Sequence, residues 1–172
     1  KSRPNEKVTY TPYRKVREIT RLDTGGRVGF EYDAFGTPIK KIGDGGSTVY
    51  VSGIYEVVNP GAPGAVHRYH VTNGTAVVAT VSRAIVNNVQ QQTTQYYHQD
   101  ALGSVDVITD PSGMNPETQY YDAWGQRLQG SWGGPPQTTA SQSSFGYTGH
   151  QHDQDFGQVN LVNMIGRHYD PH

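Results

Sequence analysis

Polar and apolar residues alternate along most of this chain with a period of two, the signature of strands with one buried face. Arg27-Val28-Gly29-Phe30-Glu31-Tyr32 places Val28, Phe30 and Tyr32 on one side. Thr48-Val49-Tyr50-Val51, Gly53-Ile54-Tyr55-Glu56-Val57-Val58, Val66-His67-Arg68-Tyr69-His70-Val71 and the stretch from Val105 to Thr109 read the same way. Val8 to Arg21 holds one or two short strands, interrupted by Pro12. Turn residues separate the runs: Asp23-Thr24-Gly25-Gly26, Asp44-Gly45-Gly46, Asn73-Gly74 and Asp110-Pro111-Ser112-Gly113. Asn-Gly between alternating runs is a hairpin signal, because both residues tolerate positive φ. Strands every 8–12 residues with turns between them predict an all-β protein. No stretch has a useful amphipathic helical period. Asn87 to Thr94, rich in glutamine, reads as an exposed loop, and Gly130 to Ser144 as a loop or linker. A last strand pair is predicted from Val159 to Met164 and His168 to Asp170.

One phrase occurs twice: Tyr32-Asp33-Ala34-Phe35-Gly36 and Tyr121-Asp122-Ala123-Trp124-Gly125. It sets a strand former, a turn former, an aromatic residue and a turn glycine in fixed order, which predicts strand, tight turn, strand. A ribbon of such hairpins buries its faces only by stacking on further turns, and the tyrosine, phenylalanine and tryptophan of the phrase are the expected packing anchors.

Composition agrees with thin, half-wet sheets. Only 34% of the 172 residues are apolar, with 21 glycines and 12 tyrosines. Net charge is −1 with no basic face, which argues against nucleic-acid binding. No apolar run approaches the length of a membrane span, and the polar start Lys1-Ser2-Arg3-Pro4 has no signal-peptide character. Zero cysteines exclude disulfides and thiolate metal sites.

Five phrases from residue 97 onward then appear in order: Tyr97-His98-x-Asp100-x-Leu102-Gly103-Ser104-Val105, Thr109-Asp110-x-x-Gly113, the second Tyr-Asp phrase, Phe145-Gly146-Tyr147-Thr148-Gly149-His150, and Gly166-Arg167-x-Tyr169-Asp170-Pro171. Together they resemble the C-terminal core region of the Rhs (rearrangement hot spot), or YD-repeat, family of polymorphic toxins. The resemblance is weaker before residue 96, where Tyr32 to Gly36 resembles another YD repeat. It implies a division into a β-hairpin ribbon, 1–95, and an Rhs core-like region, 96–172, incomplete at its C-terminal end. It implies an antiparallel ribbon forming part of a cocoon-like β-shell around a toxin domain that lies outside this chain. The implied partners are the remainder of the shell, its toxin domain and a secretion machinery. The implied location is secreted or delivered from a bacterial cell. No cofactor is implied.

The resemblance also implies one catalytic candidate. Asp170, before Pro171, stands where the family's self-cleavage region begins. Aspartic chemistry needs two carboxylates, one protonated and one ionised. The chain carries at most half of that dyad, so no enzyme activity is expected. The plain reading of Asp170 is a turn cap. Asp110 and Asp122 read as turn residues rather than a protease pair. His150, His152, Asp153 and Asp155 have metal-ligating side chains but no recognised ligand spacing, so no metal is expected. His67 and His70, three apart on a strand, point to opposite faces. His98 and Asp100 share a face and read as a polar pair. The expected anchors are Tyr32, Phe35, Tyr121, Trp124, Phe145, Tyr147 and Tyr169. Two other readings remain open: a free-standing β-rich module that binds carbohydrate or protein through exposed aromatics, and part of an aspartyl autoprotease.

Overall fold

The computed structural model describes residues 6–114, 116–138, 141–153, 161–164 and 168–169. Eleven strands form one antiparallel sheet in which every strand pairs with the next in sequence. They are β1 (Glu6–Tyr10), β2 (Val16–Arg21), β3 (Arg27–Tyr32), β4 (Pro38–Gly43), β5 (Gly46–Val51), β6 (Tyr55–Val58), β7 (Val66–Thr72), β8 (Val77–Val86), β9 (Val89–Gln99), β10 (Val105–Thr109) and β11 (Glu117–Thr118). Such a meander needs only hairpin turns, which is what the Asp, Asn and Gly positions supply. A two-stranded ladder, β12 (Tyr120–Tyr121) with β13 (Arg127–Leu128), and a three-stranded sheet of β14 (Gln151–Asp153), β15 (Leu161–Asn163) and β16 (His168–Tyr169) follow. No helix among the described residues is long and apolar enough to cross a membrane.

The alternation read from sequence sets the faces. Ile19, Val28 and Phe30 are buried on one face, with Val8, Val16 and Tyr32 packed against them. At the other end of the sheet Tyr97, Val105 and Ile108 are buried with Phe145, and Val77 packs on them. Between these apolar clusters, five buried polar residues of the sheet form a stripe: Lys41, Thr48, Glu56, His70 and Thr80. Cross-strand register places Lys41 opposite both Phe30 and Thr48, and His70 opposite Thr80. Segment 143–153 packs over this stripe.

One expectation is corrected. The glutamine-rich stretch after Asn87 is not a loop. Asn87 and Asn88 take φ of 51° and 61° and turn the chain directly into β9. Gln90, Gln91 and Gln92 then pair with Ile85, Ala84 and Arg83. Both faces of this hairpin end are exposed, so polar side chains carry no penalty there and the alternation that marks a strand is absent. The expected division after residue 95 falls inside β9, whose ladder to β8 runs on to Tyr96, where the ladder to β10 begins.

Candidate functional site: a buried polar joint

Both Tyr-Asp phrases fold into the same turn. The Asp33 carboxylate accepts hydrogen bonds from the amides of Phe35 (2.9 Å) and Thr37 (2.8 Å), and Asp122 from those of Trp124 (2.8 Å) and Gln126 (2.9 Å). The tyrosine has an equally fixed task. Tyr32 Oη donates to the carbonyl of Val16 at 2.7 Å, and Tyr121 Oη to that of Val105 at 2.8 Å, in each case 16 residues upstream. Asp100 makes a third copy of the turn, accepting from Leu102 and Ser104 amides at 2.8 Å each. The signal was present in sequence as Asp100-Ala101-Leu102-Gly103, without the tyrosine.

Segment 119–153 is seated on the sheet by the second phrase. Arg127 follows that turn and is 1% exposed. Its Nη2 donates to the carbonyls of Phe145 (2.7 Å) and Ser143 (3.0 Å), closing the start of a strap of chain that leads into β14. The guanidinium thus satisfies backbone acceptors that would otherwise be buried bare. His152, 2% exposed, accepts the Tyr147 amide on Nε2 at 3.0 Å. Its neutral tautomer therefore carries the proton on Nδ1. Burial, and then the charge of Arg127, push His152 well below the ordinary histidine value. Gly146 sits where these two side chains meet. A Cβ there would lie 2.7 Å from the His152 ring and 2.8 Å from Arg127 Nη2.

One ion pair and one hydrogen bond tie this strap to the polar stripe, and a second ion pair lies within the sheet beneath it. Lys41 Nζ meets Asp153 Oδ1 at 2.8 Å across 112 residues of sequence, with both side chains buried. Arg68 Nη1 bonds Glu56 Oε1 at 2.9 Å, and Gln151 reaches Glu56 Oε2 at 3.4 Å. Burial alone would raise the Glu56 pKa, but His70 and Arg68 together hold it below the ordinary value. His70 bonds Thr80 at 2.9 Å, and Thr80 accepts from Tyr97 at 2.8 Å. Phe145 meets the His70 ring edge-on at 5.0 Å. Such an arrangement holds two layers in one register and supplies no exposed nucleophile or base. The desolvation of such buried charges offsets much of their attraction, so the pairs add little net stability, while removing one partner is costly.

The expected anchors divide. Tyr121 and Phe145 are buried at 4% and 7%, and Tyr32 and Tyr147 are half-buried. Burial pushes the hydroxyls of Tyr32 and Tyr121 up to about 12. Phe35 and Trp124, also expected as anchors, are 94% and 66% exposed in this chain. The two hydrogen bonds to the aspartate fix the turn so that this residue sits at its apex, outside both strands. Tyr169 lies in β16, opposite Val162. Asp170 and Asp155 lie outside the described residues. Asp110 and Asp122 serve separate turns. Among the described residues no three His, Cys, Asp or Glu side chains converge as metal ligands. His98 bonds Thr109 rather than Asp100. Arg127 and Lys41 were not found in the sequence, and Asp153 stood out there only among metal-ligating side chains, since pairing over such separations leaves no local pattern.

No family profile matches the chain. Eighty residues, 44% of it, are 34% identical to the tRNA3(Ser)-specific nuclease WapA of Bacillus spizizenii and 31% identical to tRNA nuclease WapA of Bacillus subtilis. The matched part is 3% of each relative's length. In structure, the chain is similar to a TcdB2-TccC3 crystal structure, with a TM-score of 0.74 over 98% of this chain and 9% of that one, at 19% identity. It is also similar to a chain of the Photorhabdus luminescens Tc holotoxin pore, at a TM-score of 0.71 and 18% identity. The fold is that of these toxin-complex chains. The chain spans under a tenth of the length of the proteins it matches.

Proposed function

We propose that this chain is a segment of an Rhs-type shell, one stretch of a wound β-ribbon that encloses a C-terminal toxin domain for delivery out of a bacterial cell. The observation that carries this reading is the one-sided meander. Its polar stripe and the apolar cluster of Tyr97, Val105 and Ile108 are covered by segment 143–153, while large side chains elsewhere on the surface stay exposed. The likeness of nearly the whole chain to TcdB2-TccC3 supports the same reading. The partners are the remaining shell, the toxin domain it holds and the machinery that exports them. The chain has no activity of its own. Asp170 contributes at most half of a self-cleaving pair.

The test is protection. In a polypeptide that carries this segment within its full ribbon and ends in a cargo domain, cargo is cleaved by added protease far more slowly than the free domain. Equal cleavage rates contradict the proposal. The purified 172-residue chain stays intact on incubation, and fragments that vanish in Asp170→Asn would overturn the non-enzymatic role.

A further inference from the structure

The face of the sheet opposite the joint carries a second feature. Strands β6 to β9 align Val57, His67, Arg83 and Gln92 as direct cross-strand partners. The His67 ring is held by Tyr55, whose hydroxyl lies 2.6 Å from Nδ1. The Arg83 guanidinium lies over the Tyr69 ring, 5.6 Å from its centroid, and its Nε donates to Gln92 Oε1 at 2.9 Å. Both donors are thus oriented before any ligand arrives, and the terminal nitrogens of Arg83 have no partner among the described residues.

A groove of about 560 Å³ opens beside them. One wall is the loop of Ala62, Pro63 and Ala65, the other the end of the β8–β9 hairpin with Ala84 and Ile85. The loop wall is pinned. Asn59 bonds the Ser47 amide through Oδ1 at 3.0 Å, and fits only because Gly46 has no Cβ: one there would fall 1.8 Å from that oxygen. The volume is that of a small-ligand site, and the mixture of apolar walls with a few fixed donors is typical of one. Its lining holds an arginine and a histidine but no aspartate or glutamate, although the chain has 15 acidic residues.

We propose that this groove binds a small organic carboxylate with an apolar body. The carboxylate bridges the Arg83 terminal nitrogens and His67, because a planar fork matches a planar carboxylate. The apolar body lies against Ala62, Pro63, Ala84 and Ile85.

The test is an NMR titration of the 172-residue chain with 3-phenylpropanoate, with 3-phenylpropanamide as the uncharged control. The acid shifts the amides of residues 62–65 and 83–90 saturably, and the amide control binds at least about tenfold more weakly. Arg83→Gln, with an otherwise unchanged spectrum, weakens the acid about tenfold or more, the usual order for removing a charge-assisted hydrogen bond. N-acetyl-phenylalanine separates sources: tighter binding than 3-phenylpropanoate assigns a peptide end, weaker binding a simple acid, and both uphold the site. Equal binding of acid and amide, or saturable shifts elsewhere only, overturns it, as does the absence of saturable shifts. If Arg83→Gln disturbs the fold, Gly46→Ala supplies the second variant, since displacing Asn59 releases the loop wall and weakens the acid.

Discussion

The two Tyr-Asp phrases share a turn and differ in everything around it. At Asp33 the turn stands in the open. Tyr32 is half-buried, and a Cβ on Gly36 would touch only the flexible end of Lys15, at 3.2 Å. At Asp122 the same turn is sealed. Tyr121 is buried, Arg127 behind it is nearly inaccessible, and a Cβ on Gly125 would lie 2.5 Å from the Tyr147 ring. The phrase therefore encodes a hairpin, and the residues after it decide whether that hairpin is a rung of the ribbon or the seat of the covering segment. A repeat copied along a chain acquires a new task through one neighbour: Arg127 follows Gln126 where Pro38 follows Thr37.

The largest effect that separates the copies is at Arg127. Arg127→Met leaves two buried carbonyls without their donor and costs about 3–5 kcal/mol, from roughly 1–3 kcal/mol per stranded group together with lost packing. Pro38→Ala, at the matching place of the open copy, costs under about 1 kcal/mol, as a surface change does. Urea unfolding compares the two. A similar loss in both would show that the second copy is not sealed.

Gly36→Ala and Gly125→Ala sharpen the contrast. Both glycines take positive φ, 80° and 87°, so alanine costs about 1 kcal/mol in each turn on conformation alone. At Gly125 the methyl also strikes an aromatic ring, which adds about 1–3 kcal/mol of overpacking.

Acid acts next, and on the sealed region first. His152 is held neutral in the folded chain, so the unfolded chain binds more protons once pH falls below the ordinary histidine value of about 6.5. The stability contributed by the neutral ring is full above that pH and is lost as pH falls below it, until the depressed folded value is reached. A His152→Gln variant loses less stability between pH 7 and pH 5 than the parent. Equal slopes would mean that His152 titrates freely.

The smallest expected effects are at the turn apices. Phe35→Ala and Trp124→Ala each change stability by less than about 1 kcal/mol, because both rings are already in water. A loss of about 3–5 kcal/mol for Trp124→Ala, the cost of emptying a buried aromatic site, would place its indole in a core.

Much of this fold is readable along the chain, because a meander is local. Val28, Phe30 and Tyr32 give their face by alternation, and Asn73-Gly74 its hairpin by backbone preference. β9 escaped because its glutamines alternate with nothing: exposed on both faces, they carry no hydrophobic period. The exposure of Phe35 and Trp124 escaped because aromatic residues suggest a core, while the aspartate bonds that lift them to the apex are set by geometry. The joint was the least legible part. His152 and Asp153 drew notice as metal ligands, yet His152 accepts the Tyr147 amide near Arg127, and Asp153 pairs with Lys41, brought near only by the completed sheet.

Hydrogen exchange at the two turns tests the central claim directly, that one phrase is an open rung and the other a sealed seat. The Thr37 and Gln126 amides donate to equivalent aspartate oxygens at 2.8 and 2.9 Å, so the local bond is the same. The account predicts that Gln126 exchanges only with opening of the whole covering segment, at least about a hundredfold more slowly than Thr37, which opens locally. Equal protection of the two amides would contradict it.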